Sequence, residues 1–336
     1  MGSVPIYCLL FACVLVITGG CGSGNRQSAE PLRKVTIGVY AYPGSAALLV
    51  ARDKGFFRDA GLDVTLVEFT VGRLALDAAL AGKVGLATAA GLPIAGAALQ
   101  GKPVAVVATI ARGSGSVQLI ARRDRGIACI SDLKGKRIGL TPGTAPEFSL
   151  SACLAASYIN PADVTIVDLS TEEQVDAIVG GDVDAVCAAE PVIFPAQKKL
   201  GSNAVVLPEP GSYTSTWNLV VGSAPAARDP EIVARVLRAI IKANEYIRTN
   251  TAEALAIAAP EMGMDTSDLH RRWSDIQLTA DLDEELILEL EDQARWLDRK
   301  QGGPGRSPNF LEHIYPDGLR ALRPEAVRIA GAGEPQ

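Results

Sequence analysis

Apolar residues fall into two patterns that alternate along most of this chain. The stretches 35–40, 64–69 and 84–88 are largely apolar, which is typical of strands in a parallel sheet that is covered on both faces. Between them, apolar positions recur at the three- to four-residue spacing of helices. Strands and helices therefore follow one another in alternation, and this order predicts an α/β fold.

The same order of elements occurs twice, because motifs of the first half return in the second half. The stretch DVTLVEFT at 63–70 returns as DVTIVDLS at 163–170, and LDAALAGKVGLATAA at 76–90 aligns without gaps with VDAIVGGDVDAVCAA at 175–189. A third pair, PGSA and PGTA, precedes them in both halves. Three matches in the same order predict two similar α/β lobes, whose ligand sites lie at the carboxyl ends of the strands.

Two extended stretches lie outside the repeated segments and are interpreted as crossings between the lobes. They are SVQLIARRD at 116–124 and TSTWNLVVGS at 214–223. The helix-rich C-terminal third follows the second crossing and is expected to pack back onto the first lobe. We therefore predict that lobe 1 comprises 34–119 together with 218–330, and that lobe 2 comprises 120–217.

Residues 1–21 predict a segment for export. An uncharged apolar run at 4–18 is too short to span a bilayer comfortably and is followed by small residues up to Cys21. This arrangement resembles a bacterial lipobox, in which the cysteine is lipidated and begins the mature protein. An ordinary secretory signal or a short anchor is the alternative, because no Lys or Arg precedes the run and Thr18 stands where leucine is usual. Residues 22–33 predict a flexible tether.

Composition narrows the functions that fit this fold. The chain has 336 residues, of which 48% are hydrophobic and 21% are charged, and its net charge is −6. These values allow about two compact domains and, without a basic run, exclude nucleic acid as an expected partner. The histidines, His270 and His313, lie far from the repeated motifs, so histidine-based acid–base chemistry is not expected.

The cysteines that follow the export segment are Cys129, Cys153 and Cys187, an odd number without the spacing of metal ligands. Free cysteine usually behaves as a small buried apolar residue, and we expect this of all three. A bridge between Cys153 and Cys187 remains an alternative. Neither a metal nor a cofactor is predicted.

Several motifs carry a resemblance to a known family. They are KGFFRDAGLDVTLVEF at 54–69, ALAGKVGLATAAGLP at 79–93, DLKGKRIGLTPGTAPEF at 132–148 and GGDVDAVCAAEP at 180–191. The chain resembles the substrate-binding proteins of bacterial ABC importers, in the nitrate/sulfonate/taurine branch that includes NMT1/THI5-like proteins. The resemblance implies a periplasmic binding protein of type 2, with two α/β lobes joined by two crossing strands and a ligand cleft between them. The branch commonly has an aromatic residue where this chain has Ala189, so no relative's ligand carries over.

The resemblance also implies a function. The expected protein is exported, is a monomer and not an enzyme, and captures a small solute such as a sulfonate, nitrate or similar anion. It would deliver this solute to the permease of an ABC importer. The alternatives are a binder of a thiamine-precursor pyrimidine, a receptor for a membrane sensor, and an NMT1/THI5-like pyrimidine-synthesis enzyme. Such an enzyme has a dense cysteine cluster accompanied by a histidine, and this sequence does not show that combination.

The turn that begins at Thr141 is the main candidate for ligand contact. It opens a predicted helix, where unsatisfied N–H groups and the helix dipole favour an anion. Gly143 would let a ligand approach the backbone and Thr144 would donate its hydroxyl; the alternative is a plain helix cap by Thr144. Because Gly44 and Ser45 recur in the matching position, we expect both turns to face the ligand.

Further candidates stand at the predicted ends of other strands. Tyr42 follows the first strand and would stack on a ligand or bond to it, unless it is a surface aromatic. Ala90 and Gly91 precede another helix start. Glu190 occupies the corresponding place in lobe 2, where its carboxylate would bind a ligand amine or complement its own helix dipole.

The remaining candidates lie at the predicted crossings. Trp217 would form a wall of the pocket, although a tryptophan of the hydrophobic core is the alternative. Arg112 and Ser114 follow the strand that enters the first crossing and are expected at the rim of the cleft.

Overall fold

The computed structural model describes residues 1–2, 31–113, 117–189, 191–207, 215–222 and 229–331. Cys21 and the rest of the predicted export segment beyond residue 2, together with Ser114 and Glu190, lie outside these ranges. Residues Leu32–Gln336 form one compact unit. Within the described ranges, no helix combines the length and the apolar character that a bilayer crossing requires.

The described residues form twelve strands and twelve α-helices, numbered in chain order. The strands are β1 (Arg33–Tyr40), β2 (Leu62–Phe69), β3 (Leu86–Ala90), β4 (Ala105–Gly113), β5 (Val117–Arg122), β6 (Arg137–Leu140), β7 (Thr165–Asp168), β8 (Ala185–Ala189), β9 (Ala204–Leu207), β10 (Ser215–Val221), β11 (Ile276–Asp283) and β12 (Val327–Arg328). The helices are α1 (Ala46–Asp53), α2 (Phe56–Asp59), α3 (Gly72–Leu80), α4 (Gly91–Leu99), α5 (Ala145–Ala156), α6 (Thr171–Gly180), α7 (Ile193–Leu200), α8 (Pro230–Thr249), α9 (Thr251–Glu261), α10 (Thr266–Trp273), α11 (Glu284–Lys300) and α12 (Asp317–Arg320).

The strands build two sheets that repeat the same local order. A seven-stranded sheet has the order β12-β11-β4-β10-β3-β1-β2, and a five-stranded sheet has the order β7-β6-β8-β5-β9. The triplets β2-β1-β3 and β7-β6-β8 are parallel, whereas the next strand, β10 or β5, is antiparallel. The two-lobed α/β architecture predicted from the sequence repeat is confirmed. Lobe 1 denotes the part that carries the seven-stranded sheet, and lobe 2 the part that carries the five-stranded sheet.

The chain passes from one sheet to the other twice. The first passage lies between Gly113, where β4 ends, and Val117, where β5 begins. The second lies between Leu207 in β9 and Ser215 in β10. The predicted boundaries, after residues 119 and 217, lie a few residues later than these passages. The reason is that all of β5 pairs within lobe 2 and all of β10 pairs within lobe 1.

Helix α8 attaches the C-terminal third to lobe 1. Asp229 caps it by accepting the N–H of Glu231, and Pro230 occupies its first position, both of which are typical helix-start signals. One face of the helix is apolar and buried, and it includes Ile232, Val233, Val236, Leu237, Ile240 and Ile247. Because burial of each such side chain stabilises by about 1.5–3 kcal/mol, this face holds α8 on the lobe.

Candidate functional site

A cavity of about 100 Å³ lies where the carboxyl ends of strands from the two sheets meet. Strands β1 and β3 contribute Tyr40 and Ala90 from lobe 1, and β8 contributes Ala188 and Ala189 from lobe 2. An adjoining cavity of about 60 Å³ shares several of these residues. Ligand sites of open α/β sheets lie at this edge, so the repeat brings the two predicted halves of the site together.

The walls of the larger cavity are mostly apolar and carry a few polar groups. The apolar residues are Val71, Pro93, Ala145, Pro146 and Val192, and the polar side chains include Arg73, Thr141, Thr144, Thr171 and Gln174. Such a mixture is typical of sites for small molecules, in which a few polar groups fix the orientation of the ligand.

Three aromatic rings form the lobe 1 side of the site. The ring centroid of Trp217 lies 5.0 Å from that of Tyr42 and 5.9 Å from that of Tyr40. Trp217 lines both cavities, whereas Tyr42 lines the smaller one. The predicted placement of Trp217 as a wall and of Tyr42 near the ligand is therefore compatible with this geometry, although both side chains are nearly buried.

Ser45 supports the Trp217 indole instead of facing the cavity. Indole Nε1 of Trp217 donates to Ser45 Oγ at 2.8 Å, and Ser45 Oγ donates to the backbone oxygen of Tyr40 at 3.0 Å. The side chain of Ser45 is fully buried. Its hydroxyl is thus occupied within lobe 1, and the expectation that it reaches the ligand does not hold in this structure.

The Trp217 indole also explains why glycine occupies position 44. A Cβ atom on Gly44 would lie 2.9 Å from the Trp217 ring, and one on Gly72 would also lie 2.9 Å from it. Real Cβ atoms do not approach other heavy atoms this closely, so the ring fits between two glycines. Gly44 lies behind Trp217, and the structure gives it a packing role where the sequence predicted ligand contact.

The turn of lobe 2 does face the larger cavity, through Thr141 and Thr144. Its donors, however, bond within the protein. Thr141 Oγ1 donates to the backbone oxygen of Leu169 at 2.8 Å, and Thr144 Oγ1 donates to that of Thr141 at 2.6 Å. Thr144 precedes α5 but makes no side-chain cap, so the predicted alternative of a plain cap is not seen.

Gly143 is held by Glu147 in this turn. The Gly143 N–H donates to Glu147 Oε2 at 2.9 Å, and the φ angle of +74° explains why glycine stands here. Glu147 also pairs with Lys300 of lobe 1. Next to this pair, the ring of Phe148 meets that of Trp296 edge-on at 5.5 Å. The turn is therefore tied to a contact between α5 of lobe 2 and α11 of lobe 1.

The start of α3 is a feature of the site that the sequence interpretation missed. Val71, Gly72 and Arg73 line the larger cavity. Val71 offers no side-chain cap, and the first turn holds no acidic residue. Among the described residues, no acceptor bonds to the N–H groups of Gly72 and Arg73. Open N–H groups beside a guanidinium favour an anion.

The sequence contains a signal for the open start of α3, because this start differs from the matching helix start in lobe 2. Val71 and Ser170 are the residues that precede α3 and α6, so Arg73 and Glu172 occupy the same second position of the two helices. In lobe 2, Ser170 and Glu173 close the start of α6 by a reciprocal capping box, which satisfies the end groups of a helix. The two helix starts therefore differ in charge, because α3 carries the cation Arg73 where α6 carries the anion Glu172.

Ala90 and Gly91, which were predicted to contact the ligand together, have different surroundings in the structure. Ala90 lines both cavities. A Cβ atom on Gly91 would lie 2.5 Å from Gln293 Oε1 and 2.8 Å from Glu289 Oε1, so Gly91 packs under α11. The Glu289 carboxylate, which also accepts the N–H of Thr216 at 3.1 Å, lies at the start of α4, which the sequence predicted to be bare.

Arg112 lines the smaller cavity, but its guanidinium bonds to acidic residues of lobe 1. It lies 2.6 Å from Asp281 and 2.8 Å from Asp283, and Glu285 is 3.6 Å away. Burial opposes the charge of Arg112, but the hydrogen bond and charge of Asp281 and the other carboxylates outweigh it and raise its pKa. Arg112 was predicted at the rim of the cleft, but its guanidinium belongs to a buried ion network. Arg328 also pairs with Asp281 and Asp283 of this network.

The cysteines divide into two kinds. Cys153 and Cys187 are free and buried, as predicted, and the thiol of Cys187 donates to the backbone oxygen of Pro146 at 3.2 Å. Cys129 is exposed, so the prediction of burial is wrong there. Its thiol lies 3.3 Å from Asp132 in a surface turn. No group of metal-ligating side chains occurs among the described residues.

Comparison with known proteins places this geometry in context. The model of a family described as NMT1/THI5 like matches residues 42–254. A Bacillus subtilis (strain 168) protein that carries the name of an aliphatic sulfonates-binding protein is 25% identical over 251 residues, which cover 73% of this chain and 75% of that protein. The periplasmic aliphatic sulphonate binding protein SsuA from Escherichia coli has a TM-score of 0.72 at 18% identity, over 84% of this chain and 97% of that chain.

An enzyme shares the fold as well. The desulfurization enzyme DSZB has a TM-score of 0.64 at 18% identity, over 86% of this chain and 98% of that chain. These likenesses confirm the predicted periplasmic binding protein fold. Since the same fold serves a binding protein and an enzyme, the fold alone does not decide between the two functions.

Proposed function

The chain belongs to the NMT1/THI5-like family, and we propose that it is an extracytoplasmic solute-binding protein that captures a small anion. It delivers this solute to the permease of an ABC importer, and it acts as a monomer without a cofactor. The proposal rests on the family and on the cleft, in which both lobes contribute residues to one small cavity.

The single observation that carries the proposal is the open start of α3 on the cavity wall. Gly72 and Arg73 offer backbone N–H groups, and Arg73 adds a guanidinium that lies 3.9 Å from the carboxylate of Asp77. The helix dipole acts in the same direction. An anion bound here would bury its charge against complementary groups, with the Trp217 indole beside it.

The apolar remainder of the cavity favours an organic anion over a bare inorganic one. Proline, valine and alanine side chains line most of it, and they would contact a short carbon chain better than water. A sulfonate combines such a chain with three acceptor oxygens. The names of the Bacillus subtilis relative and of the Escherichia coli structure support the same class. Nitrate, a bare inorganic anion, would use the start of α3 without the apolar contacts.

A second candidate is a thiamine-precursor pyrimidine. It is favoured by the aromatic side of the site, because Trp217 lines both cavities and a flat ring could stack against it. This candidate would use the indole face more than the start of α3, so the two are separable by the charge of the solute.

Binding fits the polar groups of the cavity better than catalysis. A nucleophile needs an adjacent base. The hydroxyls of Thr141 and Thr144, which line the larger cavity, donate to backbone oxygens. The thiol of Cys187 lies outside both cavities and donates to the backbone oxygen of Pro146. The acceptors of these three groups are carbonyl oxygens, which do not act as bases. A receptor that serves a membrane sensor instead of an importer would need the same binding site.

Export and lipid anchoring through Cys21 complete the proposal, and metabolic labelling tests them. A labelled fatty acid should mark the wild-type protein, and Cys21→Ser should remove the label. Lipidation with more than one chain would hold the protein stably at the membrane surface. A wild-type protein that is released without label would contradict the anchor and leave the solute-binding proposal intact.

Calorimetry on the purified full-length protein tests the solute. Ethanesulfonate should bind at least about 10-fold more tightly than the neutral ethanesulfonamide, because hydrogen bonds to a charged group are worth more than those to a neutral one. Nitrate, bicarbonate and an aminopyrimidine complete the panel. Equal affinity for the sulfonate and its amide would contradict the anion site, and a strongest signal from the pyrimidine would favour the second candidate.

A further inference from the structure

Gln174 carries a buried acceptor that nothing in the described protein satisfies. Its side chain lines the larger cavity and is 3% exposed. The Nε2 group donates to Thr141 Oγ1 at 2.9 Å. The Oε1 atom has no hydrogen-bond partner among the described residues. Most buried polar side-chain atoms are bonded, so this exception requires an explanation.

The neighbours of Gln174 determine which way its amide points. Thr141 Oγ1 donates its proton to the backbone oxygen of Leu169, so it faces Gln174 with a lone pair. The same backbone oxygen lies 3.4 Å from Nε2. A rotated amide would place Oε1 against these two acceptors, which is unfavourable. Nε2 therefore faces Thr141 and Leu169, and Oε1 is the atom without a donor.

The fold itself does not require an amide at this position. Gln174 is the fourth residue of α6 and Ala75 is the fourth residue of α3, and Ala75 is also buried. A matched helix in lobe 1 thus packs on its sheet with a methyl group. A polar side chain that leaves one acceptor unpaired costs stability, and a hydrogen bond from a solute would offset that cost.

We propose that Gln174 selects solutes that present a neutral hydrogen-bond donor, a hydroxyl or an amide N–H, to its Oε1 atom. This inference rests on the proposed function, since it assigns a second contact in the same cavity. The solute would place its anionic group at the start of α3 and its donor at α6. The described lining residues include the cation Arg73 and no carboxylate, and the neutral Oε1 atom of Gln174 accepts a hydrogen bond without supplying a countercharge for an ammonium.

Calorimetry with paired probes tests the proposal on the full-length protein. The first pair is ethanesulfonate and 2-hydroxyethanesulfonate, and the second is propionate and 3-hydroxypropionate. In the wild type, the hydroxylated member of a pair that binds should be preferred by roughly 10-fold. Gln174→Leu, which keeps a similar volume without an acceptor, should reduce this preference to within about twofold.

Two further variants sharpen the result. Gln197→Leu is the matched control, because Gln197 lies on α7 outside both cavities and donates to Gln118 at 3.4 Å; it should leave the preference unchanged. Gln174→Glu keeps an acceptor and adds a charge, so it should shift the preference towards 2-aminoethanesulfonate. If Gln174→Glu gains nothing for the ammonium probe, the side chain does not reach the solute and the inference is overturned.

The outcomes separate the inference from the function on which it rests. A wild type without preference in either pair, or a preference that survives in Gln174→Leu, overturns the role of Gln174 while anion binding stands. Binding of the carboxylate pair alone, with the expected preference, supports Gln174 and contradicts the sulfonate assignment. Absence of binding by every probe overturns the proposed function and this inference with it.

Discussion

The two lobes contain the same repeat and use its turns in different ways. In lobe 1 the turn Pro43–Ser45 is buried and bonds to the Trp217 indole. In lobe 2 the aligned turn lines the cavity through Thr144. One copy of the turn thus positions an aromatic wall from behind, whereas the other forms part of the wall itself.

The helix starts show the opposite division. The start of α3 in lobe 1 has no acidic residue and no side-chain cap, and Arg73 faces the cavity. The start of α6 in lobe 2 has Glu172 and Glu173 in its first turn and is closed by a capping box with Ser170. Charge complementary to an anion therefore lies in lobe 1, and the neutral amide of Gln174 lies in lobe 2.

This difference teaches that a repeat conserves the places where strands end, while the side chains at those places decide the role of each copy. Parallel strands bring Ala90 and Ala189 to matching positions on the cavity. The residues around them differ in size and charge. A cleft with one charged side and one neutral polar side suits a solute that is itself asymmetric.

The largest expected effect concerns Trp217 and its counterpart in lobe 2. Trp217 pairs with Ala90, and Val117 pairs with the matching Ala189. Trp217→Ala should lower the free energy of unfolding by about 3–5 kcal/mol, whereas Val117→Ala should lower it by about 2 kcal/mol, since it removes only two buried carbons. Chemical denaturation measures both. Equal losses would show that the indole contributes nothing special to lobe 1.

The next effect concerns the charge at the two helix starts. Arg73→Gln should weaken binding of the anionic solute by ~10- to 100-fold, because each hydrogen bond to a charged group contributes about 1.5–3 kcal/mol. Glu172→Gln is the matched control at the aligned position and should change affinity by less than about twofold. Calorimetry with ethanesulfonate measures both variants. Comparable losses in the two variants would contradict the asymmetry of the cleft.

A smaller effect distinguishes the glycines of the two turns. Gly44→Ala forces a methyl group to within 2.9 Å of the Trp217 ring, and overpacking of this kind costs about 1–3 kcal/mol. Gly143→Ala meets no atom within 4 Å, so its cost is the positive φ alone, about 1–2 kcal/mol. Intrinsic fluorescence should shift in Gly44→Ala and not in Gly143→Ala. A spectrum that shifts equally in both would refute the different roles of the turns.

The smallest effect is a dependence on pH that arises from one carboxylate of lobe 2 without a counterpart at the aligned position of lobe 1. Asp184 bonds to Arg137 at 3.0 Å, and the aligned position in lobe 1 is Gly85. Burial opposes the Asp184 carboxylate, but hydrogen bonds from the Arg137 side chain and N–H outweigh it and lower the pKa. The stabilisation is therefore present above the ordinary carboxyl pKa of about 4 and is lost as pH falls through the lowered value.

Denaturation at several pH values tests this sign. The wild type should be more stable than Asp184→Asn at pH 7, and the difference should shrink below about pH 4. A difference between wild type and Asp184→Asn that grows on acidification would show that the sign is wrong.

Much of the fold was predictable because it depends on local patterns. Continuous apolar strands and a repeat in fixed order were enough to predict two parallel α/β units, and the equivalence of β2-β1-β3 with β7-β6-β8 confirms this. The prediction of the site was less successful, because it assumed that aligned turns do the same work. Ser45 is a fully buried support, and its hydroxyl gave no sign of this in the sequence.

The reasons lie in contacts between residues that are distant in the chain. Ser45 meets Trp217, Gly91 meets Gln293, and Arg112 meets Asp281. No local spacing specifies such pairs, since they depend on how β10, β11 and α11 return to lobe 1. In contrast, Arg73 and Glu172 both lie at the start of a predicted helix that follows a repeated strand, and their difference could be found by comparing charge along with size.

The ion pair between Lys300 and Glu147 has a consequence for the separation of the lobes. It joins α11 of lobe 1 to α5 of lobe 2, so it must break whenever these two helices move apart. Lys300 is 43% exposed, and dissolved ions weaken a pair of this kind. Added salt should therefore make it easier for α11 and α5 to separate, although salt also weakens the attraction between an anionic solute and the cation of the cavity. Ionic strength would then act on the link between the lobes and on solute binding as two separate effects.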